Sequence, residues 1–310
     1  GLQLTVTPDR FVIFQEQHSK LWFIRKNSEI AERGLFAALN GFETQVFLNI
    51  YEVTDTPDEQ YRMLYEKLNG SGIADVAMGI NEIRFKKLYD SLTACVSKEV
   101  LQDCSQLVKD CKHIENRHDT ESKIQSFINK IEPLAVAFLT ALEETYRSEQ
   151  TAQFLEEKVP TAKTSSVKQL LTLFRARMYR LLLCASGLLV REMPLTAATS
   201  AVTVFIHKMC GTASQLFVSF GSVFLMAIED LAVYYKMEEN SGRLFAFLHL
   251  EEKLAALIRA KGFDIDPIEN KADTVKYLYY VHNARGKKSI RRTGIVHRMA
   301  QGPHVHISLR

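Results

Sequence analysis

At Pro57 the spacing of apolar residues changes from alternation to helical periodicity, and that change limits the folds open to the chain. Before it, LWFIRK (21–26) and QVFLNIYEV (45–53) are rich in aromatic and β-branched residues. Val46, Leu48 and Ile50 alternate with Phe47, Asn49 and Tyr51, the period of a pleated strand. Between these runs GLFAALNGF (34–42) carries Asn40-Gly41, the strongest short turn signal. A small antiparallel β unit is therefore expected near the N-terminus. Residues 1–18 lack the apolar density to fold alone and read as an arm whose Leu2, Leu4 and Phe11 stay exposed.

Beyond Pro57 the three-and-four spacing of amphipathic helices takes over. NGSG (69–72) separates two helices. Farther on, Ile124, Phe127, Ile128, Ile131, Leu134, Ala135 and Phe138 form one stripe, which Pro133 is expected to kink or to interrupt with a new helix. VPTAKTSS (159–166) combines Pro, Thr and Ser and reads as a lobe junction, with Ser166 placed to cap the next helix. In that helix Val167, Leu170, Leu171, Phe174, Met178, Leu181 and Leu182 make a buried stripe. Lys168, Arg175, Arg177 and Arg180 flank it on both sides, so the helix can pack on a core while showing guanidinium groups to a cleft. Buried helices follow over 201–236 and 243–261, the latter closed by Gly262, then a helix over 271–283 and a basic tail from Arg285. The expected fold is mainly α: an arm (1–18), an N-terminal lobe (19–165) holding the small antiparallel β unit, a C-terminal lobe (166–284) and a basic arm (285–310).

With 310 residues, 46% of them hydrophobic and 24% charged, the chain has apolar mass for one large core or two lobes. Five cysteines (Cys95, Cys104, Cys111, Cys184, Cys210) form no regular framework, and one must stay unpaired, which favours a reducing, intracellular compartment. GLQLTVTPDR at the start lacks a cationic segment followed by an apolar run, so no secretory leader is expected. The most apolar stretch, about 201–235, is broken by His207-Lys208 and Glu229-Asp230. It offers no uninterrupted span of the roughly 20 residues a bilayer needs, so buried helices and no membrane partner are expected.

Charge divides the chain unevenly. Residues 161–310 hold 21 Lys/Arg against 11 Asp/Glu, a net +10, while residues 1–160 hold 18 against 25, a net −7. The last 30 residues carry seven cations (Arg285, Lys287, Lys288, Arg291, Arg292, Arg298, Arg310) and no acid, which suggests a polyanion partner. Signatures of catalysis are missing: RGKKS (285–289) lacks the earlier glycine of a phosphate loop, and no GxSxG, HExxH or CxxC occurs. The reading is non-enzymatic. Cys104, Cys111, His113 and His118 lie close in sequence, but their spacing does not match paired metal hooks. His207 with Cys210, and His304 with His306, likewise read as structural, so no metal or cofactor is expected.

Cations interleave with aromatics at three places. Arg25-Lys26 follow Trp22-Phe23, Tyr179 lies among Arg175, Arg177 and Arg180, and Tyr277, Tyr279 and Tyr280 precede the tail. Single-strand binders combine cationic surfaces and stacking faces in this way. The order of segments also carries a resemblance. LWFIRKNSEIAERGLFAALNGFETQVFLNIYEV (21–53) resembles the N-terminal strand unit of orthobunyavirus nucleoproteins, and LLTLFRARMYRLLL (170–183) is similar to their central helix. LMAIEDLAVYYK (225–236) followed by EEKLAALIRAKGFDIDPIENKADTVKYLYYVHNARGKKS (251–289) is similar to the C-terminal lobe of tospovirus nucleoproteins. VTVFIHKMCGTAS (202–214) resembles an emaravirus nucleoprotein segment, with Gly211 and His207 departing from it. Residues 56–165 are largely unmatched.

This resemblance to nucleoproteins of segmented negative-strand RNA viruses implies two helical lobes, a positive groove for single-stranded RNA, and terminal arms that dock on neighbouring copies. The RNA contacts it implies are Arg25, Lys26, Arg175, Arg177, Arg180, Lys208, Lys287 and Lys288, and the stripe of the 167–182 helix adds Lys168 to them. The implied partners are RNA, other copies of the chain in a nucleocapsid homo-oligomer, and the viral RNA polymerase. The implied locations are the virion and the host cytoplasm.

Overall fold

The computed structural model describes residues 3–36, 39, 41, 44–156, 165–188, 209–236 and 241–263. The fold is mainly helical, with a three-stranded antiparallel sheet near the N-terminus, as the change of period at Pro57 implies. It divides into two compact units, Gly1–Lys86 and Lys87–Arg310. The lobe junction expected at 159–166 lies largely outside the described residues.

In the first unit, β1 (Arg10–Glu16) is the middle strand, between β2 (Trp22–Lys26) and β3 (Phe47–Thr54). Ile13 faces Ile24 across one ladder and Tyr51 across the other. One face of the sheet packs Phe11, Ile13 and Ile24 against Leu64 of α2 (Gln60–Leu68) and Ile80 of α3 (Val76–Arg84). On the alternate positions Phe14 stacks on Phe23 with ring centroids 5.8 Å apart and meets the edge of Phe47 at 5.1 Å. Both sides of β1 are thus covered. Phe11, Val12 and Ile13 are fully buried, so the reading of residues 1–18 as an arm with an exposed Phe11 is corrected: Arg10–Glu16 is the core of the sheet. Thr5, just before it, is held by Glu52, whose Oε1 also accepts from the buried Asn27 at the start of α1 (Asn27–Arg33), 2.7 Å in both cases.

Every regular element among the described residues of the second unit is a helix. The unit comprises α4 (Lys86–Cys95), whose first residue closes the first unit, α5 (Lys98–Lys112), α6 (Arg117–Tyr146), α7 (Glu149–Leu155) and α8 (Val167–Ala185). Then come α9 (Ala213–Leu225), α10 (Ala227–Tyr234), α11 (Ser241–Leu248) and α12 (Leu250–Arg259). Local chemistry sets several starts: Ser97 accepts from the Val100 amide, Asn116 from that of His118, and Thr212 with Gln215 forms a reciprocal capping box. Residues 216–225 of α9 are all buried, and Phe224 packs on Phe138 of α6 at 5.7 Å and Phe174 of α8 at 4.8 Å. Gly221 permits close approach to α12, since a Cβ there would lie 2.6 Å from the Leu254 side chain.

Three local expectations change. Of the two outcomes expected at Pro133, a new helix does not occur: α6 runs through it, with Ile124, Phe127, Ile128, Ile131, Ala135 and Phe138 buried around it and offsetting a proline cost of about 3 kcal/mol. Ser166 does not cap α8 with its hydroxyl, and Glu143 of α6 accepts its amide instead. Ala213–Tyr234, α9 and α10 together, is after all long and apolar enough to cross a membrane, at 22 residues with a mean hydropathy of 1.9 over its most apolar window. Yet 83% of its most apolar window is buried inside the protein, the pattern of a core helix. Gly262 does adopt the left-handed conformation expected after a helix end, φ 82°.

Candidate nucleic-acid interface

The cations of β2 leave the strand on opposite sides, because neighbouring strand residues alternate. Lys26 shares the face of Ile24 and places its ammonium 4.9 Å from the centroid of Tyr65, whose hydroxyl donates to Glu29. Arg25 turns the other way: its guanidinium donates to the carbonyls of Ile24 (2.8 Å) and Gly70 (2.9 Å) and lies 5.7 Å from the Phe23 centroid. Both are half-buried.

Helix α8 sorts its four cations by helical geometry. Lys168 and Arg175, two turns apart, lie on one flank; Arg177 and Arg180, about one turn apart, lie on the other. Acids meet both flanks. Arg175 pairs with Glu132 of α6 and donates to Asn129 Oδ1 at 2.8 Å, keeping 35% of its side chain exposed. Arg177 grips both carboxylate oxygens of Asp230 on α10, with one bond of 2.6 Å, and only 12% of its side chain is exposed. Arg177 thus serves as an internal strut, its fork occupied and nearly out of solvent, an engagement that competes with an RNA phosphate for the same guanidinium. Arg180 is half-buried beside it, and Lys168 is exposed. Tyr179, expected among the stacking faces, hydrogen-bonds Glu121 of α6; burial first, then that carboxylate, pushes its phenol above the usual range.

Lys208, Lys287 and Lys288, with Tyr277, Tyr279 and Tyr280, fall outside the described residues, as do His207, His304 and His306. Among the described residues no three His, Cys, Asp or Glu side chains converge as a metal site. Cys104 and Cys111 lie buried on α5, and burial pushes the Cys104 and Cys184 thiols up to about 12, which keeps them protonated.

No family model, curated protein or solved structure matches this chain. Its reading rests on its own residues.

Sequence reasoning missed a polar node at Glu143. This carboxylate, 5% exposed, accepts from Ser165 Oγ (2.6 Å), the Ser166 amide (2.9 Å) and Tyr235 Oη (2.6 Å). It thereby ties the start of α8 to the end of α10. Burial alone would raise its carboxyl, but the bonds from Ser165, Tyr235 and Ser166 together outweigh burial, and the net direction is downward. A carboxyl lowered in the folded state contributes stability that is present above its unfolded value and is lost as pH falls below it. The variant Glu143→Gln is accordingly expected to melt lower than the parent at pH 7, with the deficit narrowing as pH drops below the ordinary carboxylate range; a deficit independent of pH refutes the ionised clamp. The partners of Glu143 lie 22 to 92 positions away, so no local pattern announces it.

Proposed function

We propose that the chain is a nucleoprotein that coats single-stranded RNA without sequence preference and assembles with copies of itself. The observation that carries this reading is the charge division, a second half of net +10 whose last 30 residues hold seven cations and no acid. A protein that must accept any sequence draws its affinity from phosphates, and cations are what neutralise them. With Arg177 committed to Asp230, the contacts proposed on α8 are Lys168, Arg175 and Arg180, joined by Arg25, Lys26, Lys208, Lys287 and Lys288. The mainly helical fold with its small N-terminal sheet agrees with the family resemblance at the level of architecture. The viral polymerase as partner, and the virion and host cytoplasm as locations, belong to the same proposal.

Protein purified from a heterologous host is expected to carry nuclease-sensitive nucleic acid, read as a raised ratio of absorbance at 260 to 280 nm. The stripped protein should bind unstructured RNA oligomers of different sequence with similar affinity. That affinity should fall with salt, log Kobs against log salt losing about 0.7 in slope for each phosphate contact removed. A chain that purifies free of nucleic acid and ignores RNA at low salt overturns the reading.

A second reading is favoured by one observation: Arg175 and Arg177 are both engaged by acids within the fold, which shifts weight to the tail. On it the chain is a non-enzymatic scaffold that holds an acidic partner or membrane surface through residues 285–310. Deleting 285–310 separates the two, since the scaffold loses all polyanion and anionic-vesicle binding. The nucleoprotein keeps RNA binding that the further changes Lys168→Ala and Arg175→Ala weaken.

A further inference from the structure

Helix α6 turns a stripe of three carboxylates toward α8. Glu121, Glu132 and Glu143 follow one another at intervals of 11 residues. That interval is close to three full helical turns, so the three share one face of α6. Glu143 accepts from Ser165 just before α8, Glu132 pairs with Arg175, and Glu121 bonds the hydroxyl of Tyr179. The outer two thus meet neutral hydroxyls there, whereas Glu132 meets a cation.

That cation is gripped by both arms. Glu132 Oε2 accepts from Nη1 of Arg175, and Asn129 Oδ1 accepts from Nη2 at 2.8 Å. Asn129 and Glu132 lie one turn apart, and Pro133 has no N–H to return to the Asn129 carbonyl, so this turn of α6 is rich in acceptors. The pair remains within reach of solvent, at 35% and 30% exposure, unlike Arg177 with Asp230 at 12% and 11%. An exposed ion pair is weakly held. A phosphate offers the same guanidinium fork two oxygens in matching geometry. Lys168, exposed on the same flank two turns away, supplies a second cation beside it.

We infer that Glu132 is a resident competitor for phosphate. It occupies the Arg175 fork while the chain is free of RNA and is displaced when a strand binds, so the carboxylate holds affinity below what the cations alone would give. Glu132 then regulates the RNA site of the proposed function, and the inference rests on that reading. Its sign is distinctive: loss of Glu132 tightens binding, whereas loss of its partner Arg175 weakens it.

The test uses the full chain, stripped of nucleic acid, and a labelled oligouridylate at low salt. Glu132→Gln keeps the size and a hydrogen-bonding oxygen while removing the charge. It is expected to tighten binding about two- to fivefold, the worth of a screened ion pair. Glu132→Ala is measured beside it, so that the outcome does not depend on how glutamine packs. Removing any negative charge favours a polyanion slightly, and the same two substitutions are therefore made in Arg175→Ala, where the gain is expected to vanish. A gain of equal size without the arginine overturns the inference. Unchanged or weaker binding by both variants at a parental urea midpoint also overturns it. A parent that ignores the oligouridylate ends the functional reading and this inference with it, whereas a parent that binds it as tightly as its Glu132 variants ends the inference alone.

Discussion

A chain that begins at Ser19 is expected to lose the cooperative fold of its first unit. Such a truncation removes β1, and with it Phe11, Val12, Ile13 and Phe14, none more than 3% exposed. Burial of each such side chain contributes about 1.5–3 kcal/mol, so the four together represent about 6–12 kcal/mol, comparable with the whole stability of a domain. Both remaining strands would also lose their only described ladder partner within the sheet, because β2 and β3 pair with β1 and not with each other. Hydrogen exchange should show the amides of β2 and β3 unprotected in the truncated chain. Native protection there would mean that β1 is dispensable. A milder version, Ile13→Ala, is expected to cost about 2–5 kcal/mol, read from the urea midpoint of the full chain. Smaller particles from the Ser19 truncation would thus report unfolding of the sheet, and do not by themselves show that an arm holds neighbours together.

The same strand shows where the sequence was legible and where it was not. β2 and β3 were visible because aromatic and β-branched residues cluster or alternate in them. RFVIFQE is hard to read as a strand because its four apolar residues are consecutive, which is the pattern of a strand covered on both faces, and a short run of that kind has no period of its own. Asn40-Gly41 suggested that the strands flanking it are neighbours; the sheet instead places β1 between them, a choice made by the wider burial available to a middle strand. Helix stripes were legible for the opposite reason: Leu170, Phe174, Met178 and Leu181 repeat often enough to define a face, and all four are buried. Cations beside that stripe were equally visible, but their partners were not. Glu132 is 43 positions from Arg175, and Asp230 is 53 from Arg177, and nothing in the intervening chain shows that folding brings them together.

That pairing decides how the arginines of α8 should be probed, because the two differ in exposure. Arg175 and Glu132 are 35% and 30% exposed, so water and salt screen the pair, and Arg175→Ala is expected to change stability by about 0–1 kcal/mol. Arg177 and Asp230 are 12% and 11% exposed. Removing the guanidinium strands a carboxylate in the interior, and Arg177→Ala is expected to cost about 3–5 kcal/mol, seen as a large fall in the urea midpoint. Much of that cost comes from the abandoned charge and little from the net worth of the pair, so the double variant Arg177→Met with Asp230→Leu should recover most of it. A single variant with an unchanged midpoint would show that the pair bears no weight in the fold. RNA titration of the double variant then separates structure from contact. Affinity restored along with stability assigns Arg177 to the scaffold, whereas affinity still lost in a protein of parental stability would return Arg177 to the interface.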